Sequence, residues 1–389
     1  MLLTTIGEAF EINPQVRIPK GTEVPFVTMD QVVPGQRNVS AAENRVFKGG
    51  SKFEHGDTLM ARITPCLENK KIAQYLPPNH ASPSAGSTEF IVIRGKNGVS
   101  ITPFAYYFVQ SPDIHELAIS LMTGTSGRQR VDTEAFRMSE IWLPNLTIQE
   151  KIVKVLGSLD DKIAANQRTI QSADSLRNAL WDKLLKTNTE SLPLSSLAEF
   201  INGRAFTKNA TGTGRVVARI AELNSGIGSN TVFNDIEVHQ NHVVLPGELL
   251  FAWSGTLMTK RWPYDEAIVN QHIFKVLPIS KFDLWALELI IQSQIHYFQM
   301  IAAGKATTMG HIKRADLDKT VEVPTSIPDK LNMLGNTLWM LATQAEQENQ
   351  TLARTRDELL PLLMSGKITV RDAEEASAEV GVDKHEVKE

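Results

Sequence analysis

The sequence is written twice, and this limits the possible folds more than any other feature. Leu3-Thr-Thr-Ile-Gly-Glu8-Ala-Phe10 resembles Leu194-Ser-Ser-Leu-Ala-Glu199-Phe-Ile201 at an offset of 191 residues. The same offset sets Val27-Thr-Met29 on Ala218-Arg-Ile220, and Gly56-Asp-Thr-Leu-Met-Ala61 on Gly247-Glu-Leu-Leu-Phe-Ala252. Further on, Gly124 to Pro144 aligns with Gly304 to Pro324 at an offset of 180. An indel of about eleven residues in a middle loop accounts for the shift, because loops vary without loss of a core. Arg177-x-x-Leu180-x-x-x-Leu184 then matches Arg356-x-x-Leu359-x-x-x-Leu363 at an offset of 179. A period this long predicts tandem duplication of a whole domain rather than a short-period solenoid.

Each copy begins as a globular unit of mixed α/β character. Short β-rich runs bounded by Pro, Gly and Asn, such as Ser87 to Arg94, Ile141 to Pro144 and Ile273 to Leu277, alternate with helical patterns at Pro103 to Met122 and Phe282 to Ile301. The aromatic residues in those helices fall at helical spacing and are assigned to the core rather than to base stacking. A chain of 389 residues holds two or three such units, each large enough to bury a core.

After Pro144 and after Pro324 the pattern becomes sustained helix. In the second connector Leu331, Leu334, Leu338, Leu341, Ala345, Glu348, Leu352, Thr355, Leu359 and Leu362 advance in alternating steps of three and four, a coiled-coil seam. The first runs Ile152, Leu156, Leu159, Ile163, Asn166, Ile170, Ala173, Leu176, Leu180, Leu184, with one repeated step of three that reads as a stutter. Asn166 on that seam either fixes register or is a tolerated polar position. At 1.5 Å per residue each helix is roughly 55 to 60 Å long, and an antiparallel pair would give one chain an approximate two-fold axis. The expected boundaries are unit one 1–146, helix one 147–188, unit two 189–326, helix two 327–368 and an acidic, disordered tail 369–389.

Charge decides little. The net charge is −4, but residues 371–389 contain seven acids and three bases, so the rest is neutral; what matters for nucleic acid is clustering on one face. No stretch approaches a membrane span, the first residues lack a signal-peptide pattern, and the single Cys66 forms no internal disulfide, so a cytoplasmic protein is expected. Cys66 has no neighbouring base and is assigned a plain structural role. The Gly-x-x-x-x-Gly-Lys-Ser/Thr phosphate loop is missing, as is the Asn/Asp-Pro-Pro-aromatic motif of adenine methyltransferases, and His239-x-x-His242 lacks a metal-ligand set. No catalytic residue and no metal site are expected.

The duplicated Gly56-Asp-Thr-Leu-Met-Ala-Arg62 and Gly247-Glu-Leu-Leu-Phe-Ala-Trp253 segments, the matching helices, and Gly124-Thr-Ser-Gly-Arg-Gln-Arg130 ahead of Trp142-Leu-Pro144 resemble type I restriction-modification specificity subunits. The resemblance runs to about residue 370. The second basic loop departs from the first, since Gly304-Lys-Ala-Thr-Thr-Met-Gly310 has Lys305 but no Arg-x-Arg pair. The resemblance implies two target-recognition domains, each reading half of a split, asymmetric site in double-stranded DNA, with helices that set the gap. It also implies two methylation subunits docked on the helices and two restriction subunits in the full complex. S-adenosylmethionine, ATP and Mg would then sit on those partners and none on this chain. The rival expectations are a stand-alone DNA-binding regulator, or a recognition subunit of another defence system. A catalytic nuclease or methyltransferase is disfavoured by the missing motifs.

Arg and Lys read guanine edges or hold phosphates. The candidate DNA contacts are therefore Arg62, Lys70, Lys71, Arg128 and Arg130 in the first unit, with Arg204, Lys208, Arg219, Lys260, Arg261, Lys305, Lys313 and Arg314 in the second. The candidate seam and docking positions are Leu156, Leu159, Ile163, Ile170, Leu180, Leu184, Leu334, Leu338, Leu341, Leu352 and Leu359, and Trp181, Trp339 and Met340 are further apolar positions for partner docking.

Overall fold

The computed structural model describes residues 2–77, 83–125, 127–304 and 311–382. It divides into two compact units, Met1–Ala164 with Thr351–Glu389, and Ala165–Gln350, so each unit takes its own part of both long helices. In unit one a sheet runs, in spatial order, Phe10–Ile12, Phe90–Gly95, Thr58–Ala61, Ile72–Tyr75 and Asn38–Val39. In unit two the order is Ala198–Asn202, Ile273–Pro278, Leu249–Ala252 and Met258–Arg261. Four strands thus recur with the same connectivity and the same antiparallel pairing.

The second sheet recurs as well. Glu43–Val46, Glu23–Val27, Ser84–Gly86 and Ser51–Phe53 correspond to Phe233–Asn234, Arg215–Ala218, Ala267–Val269 and Val243–Val244, with the central pair parallel in both. Strand starts locate the indel. Thr58 to Leu249 is an offset of 191, Ile72 to Met258 of 186, and Phe90 to Ile273 of 183. The difference is therefore spread over three places: five residues in the loop 62–71, which 253–257 replaces in unit two, three between Ile72 and Phe90, and three between Phe90 and Glu140.

Against the first of these sheets unit one packs the helix Thr102–Gln110, with Pro112–Ser120 folded against that helix, where unit two has one helix, Leu284–Gly304. Pro112 explains the break, since it cannot donate a backbone bond and fits the first turn of a new helix. A two-stranded ribbon closes each copy, Leu2–Thr5 with Glu140–Leu143 and Thr189–Pro193 with Thr320–Pro324.

The long helices are Leu146–Leu185 and Asp329–Met364, and within each unit their segments run antiparallel. Leu156, Leu159, Leu352 and Leu359, with half-buried Ile163, join the aromatic core of unit one. In unit two Ile170 and Ala173 pack on Leu338, Ala342 and Ala345, while Leu180 and Leu184 join Trp181, Trp285 and Trp339.

The buried stripe differs from the sequence expectation at one position of the first helix and at alternate positions of the second. Leu176 is 48% exposed and Arg177 is 3%, so the first seam reads 170, 173, 177, 180 and 184 with no stutter. On the second helix Leu334 and Leu341 are exposed, and the stripe runs through Leu338, Ala342, Ala345, Leu352, Arg356, Leu359 and Leu363. Leucine at 341 and 176 mimics the seam, while the true positions are filled by a small alanine and a buried arginine. Arg177 donates to Glu288 at 2.8 Å, and Arg356 donates to Asp160 at 2.7 Å. Both arginines of the repeated motif are thus neutralised inside, the condition under which a buried charge is tolerated. Asn166 is also buried and donates to Glu348 at 2.7 Å.

The acidic tail is not disordered throughout. Val370–Glu379 is a helix, started by Thr369 and Asp372 in a reciprocal cap and anchored by buried Ala373. Composition pointed to disorder; the cap and one buried face outweigh it.

Candidate nucleic-acid interface

In unit one the two basic segments come together. Loop 62–71 follows the strand Thr58–Ala61, and its start pairs with the segment 129–131: Thr64 N donates to Gln129 O at 3.0 Å, and Val131 N donates to Arg62 O at 2.9 Å. Glu89 lies between the two arginines, accepting from Arg130 at 2.7 Å and standing 4.0 Å from Arg62. The hydrogen bond from Arg130 holds the Glu89 carboxyl below its ordinary range, so the group is anionic at neutral pH. Arg62 Nε is shielded from solvent and has no hydrogen-bond partner. Arg128 is exposed on a turn at which Gly127 has φ +79°, a conformation open to glycine.

The rest of loop 62–71 is fixed from below. His115 Nε2 bonds Leu67 O at 2.8 Å, which makes this nitrogen the N–H donor, and burial lowers the imidazole pKa so that the ring is neutral. Lys71 Nζ donates to Met29 O at 2.8 Å, and Lys70 is exposed. Cys66 is a half-buried thiol in this loop.

The same place in unit two carries other chemistry. Trp253 occupies the position of Arg62 at the offset of 191, and Ile312 N donates to Trp253 O at 3.2 Å as Val131 does to Arg62. The indole Nε1 donates to Asn202 Oδ1 at 2.8 Å, and the ring lies 5.1 Å from His272, 5.8 Å from Phe274 and 6.3 Å from His311. His272 has φ +77°, a strained conformation for a side chain with a Cβ. Sequence reasoning missed this cluster, although the register that set Arg62 on Trp253 contained the signal.

The remaining candidates separate by surroundings. Arg204 and Lys208 are exposed, and Arg204 bridges to Asn270 and accepts from Gln271 N at 2.8 Å, beside His272. Arg219 is held by Glu222 at 2.6 Å and by Asn230 O at 2.7 Å. Lys313 is exposed, and Arg314 lines a shallow cleft with Ser195, Glu199 and Asp318. Lys305 lies outside the described residues.

Arg261 does not belong with the interface. Met258–Arg261 is a strand whose residues alternate, so Lys260 is half-exposed and Arg261, a candidate DNA contact by sequence, is buried. Arg261 pairs bidentately with Glu346 at 2.9 Å and lies over the Trp339 ring, which Arg177 also covers. Trp181 and Trp339 are likewise core; Met333, Leu334, Met340, Leu341 and Leu176 are exposed apolar side chains of the long helices in this unit.

Among the described residues no helix is long and apolar enough to cross a membrane, and no cluster of metal-ligating side chains is present. Residues 65–174 match the family described as the type I restriction modification DNA specificity domain. This segment of the chain is thus similar to the DNA specificity domain of type I restriction-modification systems. The chain is 30% identical over 204 residues to the type I restriction enzyme EcoAI specificity subunit of Escherichia coli, and 30% identical over 202 residues to the EcoEI specificity subunit of that organism. Each match covers 50% of this chain and 34% of the relative, so the chain matches about a third of the length of these relatives. The fold is similar to the crystal structure of a type I restriction-modification S subunit from M. genitalium, with a TM-score of 0.53 at 14% identity over 93% of this chain and 95% of that one.

Proposed function

We propose that this chain is the non-catalytic, DNA-reading subunit of a cytoplasmic type I restriction-modification complex, and that each unit reads one half of a bipartite target. The observation that carries this reading is a scaffold of two sheets, eight of whose strands recur with the same order, that presents different side chains at equivalent loops: Arg62, Glu89 and Arg130 in one copy, Trp253, His272 and His311 in the other. A shared frame with exchanged loop chemistry suits two unlike half-sites. Arg62, Lys70, Arg128 and Arg130, with Arg204, Lys208, Lys260, Lys305 and Lys313, would supply guanine and phosphate contacts.

The long helices would set the spacing, and their exposed Leu176, Met333, Leu334, Met340 and Leu341 suit the docking of methylation subunits, since apolar patches of this kind mark interfaces. S-adenosylmethionine would bind on two such partners, and ATP and Mg on two restriction subunits. The test combines the purified chain with its cognate methylation subunit and S-adenosylmethionine and maps methylated adenines across genomic DNA. Methylation at a split sequence only when this chain is present is the expected result; a complex that methylates no defined sequence, or no complex at all, would refute it.

A further inference from the structure

We infer that unit two recognises its half of the target through an aromatic surface centred on Trp253 and His272, whereas unit one uses charged groups. The inference rests on the reading above and adds residues and a mode of contact to it. Three observations converge on the site. Trp253 is half-buried, and its ring is fixed from two sides, by the Nε1 bond to Asn202 at 2.8 Å and by Phe274 at 5.8 Å with a 31° tilt. A ring held this way loses no rotamer freedom on binding, which is what makes tryptophan effective at recognition surfaces.

His272 is the second observation. Its left-handed backbone, at φ +77°, brings the imidazole against the Trp253 ring, and its Nδ1 has no hydrogen-bond partner. Strain and an unsatisfied polar atom at one residue both cost stability, and such costs gather at sites that bind something. The third is position. Trp253 and Arg62 leave equivalent strands and make equivalent backbone contacts, to Ile312 and Val131, so whatever meets the Arg62 edge in one copy meets the Trp253 edge in the other.

The chemistry then fixes the class of contact. An indole edge flanked by imidazoles offers apolar contact to a thymine methyl or a wedge at a base step, with exposed Arg204, two residues from Asn202 and bonded through its carbonyl to Gln271 N, to hold a phosphate. It does not offer the bidentate fork by which Arg62 or Arg130 takes guanine. Affinity from the Trp253 surface is therefore insensitive to salt, whereas each phosphate contact from arginine or lysine adds to the salt slope.

The test uses the assembled methyltransferase with Trp253→Ala. The expected result is a roughly tenfold loss of discrimination confined to one half of the target, with the slope of log affinity against log salt unchanged. Arg204→Ala should weaken binding for all sequences and lower that slope by about one. If Trp253→Ala does not fold, judged by its thermal melt, His272→Asn serves instead, because Asn accepts this backbone conformation, and the same half should relax. Unchanged target specificity in both halves for a folded variant overturns the inference. If the unmodified complex methylates no split sequence, the functional reading itself fails, and that outcome is distinct from any result with the variants.

Discussion

The two units share a frame and differ at their edges. Inside, the repeated arginines do the same work: Arg356 is neutralised by Asp160 in unit one, and Arg177 by Glu288 in unit two. At the loop that follows the equivalent strands, unit one sets a carboxylate between two guanidiniums and unit two sets an indole between imidazoles. The comparison teaches where duplication is constrained. The arginine is kept while its acid comes from a different element, Asp160 on the first long helix and Glu288 on Leu284–Gly304, because a buried arginine without a partner is an uncompensated charge. A surface loop is under no such restriction, and here it also differs in length, ten residues at 62–71 against five at 253–257.

The largest effect expected from breaking the comparison is on spacing. Four residues inserted in both long helices, after Asn166 and after Glu348, lengthen each by about 6 Å. Methylation at the original target should be lost and reappear at the same two half-sites with a gap larger by about two base pairs. Retention of the original gap in the methylation map would mean the helices do not set it.

Next come the buried pairs. Asp160→Ala and Glu288→Ala should each cost about 3–5 kcal/mol in urea unfolding, because each leaves an arginine buried without its main partner. Similar losses in the two variants support a shared frame; a cost below about 1 kcal/mol in either would show that one arginine does not depend on its acid.

Arg128→Ala with Arg130→Ala should relax one half-site, by about 1–3 kcal/mol per lost base contact, and reduce the salt slope. Unchanged binding and specificity would remove both from the interface. The smallest effect is a pH dependence of unit one. His115 is held below its ordinary pKa by burial, so the unfolded chain binds the extra proton first. Stability from this group is complete above about pH 6.5 and falls as pH drops below it. His115→Gln should remove that acid limb from a pH series of thermal melts, and an identical profile would show that the ring does not titrate on unfolding.

The duplication, the mixed α/β class and the two helices were readable from the sequence, because hydrophobic pattern and register survive in each copy. All of the first seam but Leu176, and half of the second, was readable too: Leu156, Leu159, Ile163, Ile170, Leu180, Leu184, Leu338, Leu352 and Leu359 all pack inward. The other positions were not, since a search for apolar residues selects Leu176 and Leu341 over Arg177 and Ala342, and only the acid across the interface makes a buried arginine reasonable. Arg261 was misplaced for the same reason, its partner Glu346 being 85 residues away. In the candidate interface, Arg62 and Arg130 could be named individually, but Glu89 between them and the Trp253 cluster required the fold. A search for basic residues passes over a cluster built from aromatic rings.

The central claim is that the two edges read different halves of one target. The most direct measurement compares methylated-adenine maps from the unmodified complex, the Arg128→Ala and Arg130→Ala double variant, and Trp253→Ala. The two variants are expected to relax opposite halves of the split sequence, each leaving the other half intact. Relaxation of the same half by both, or of neither by either, would contradict it.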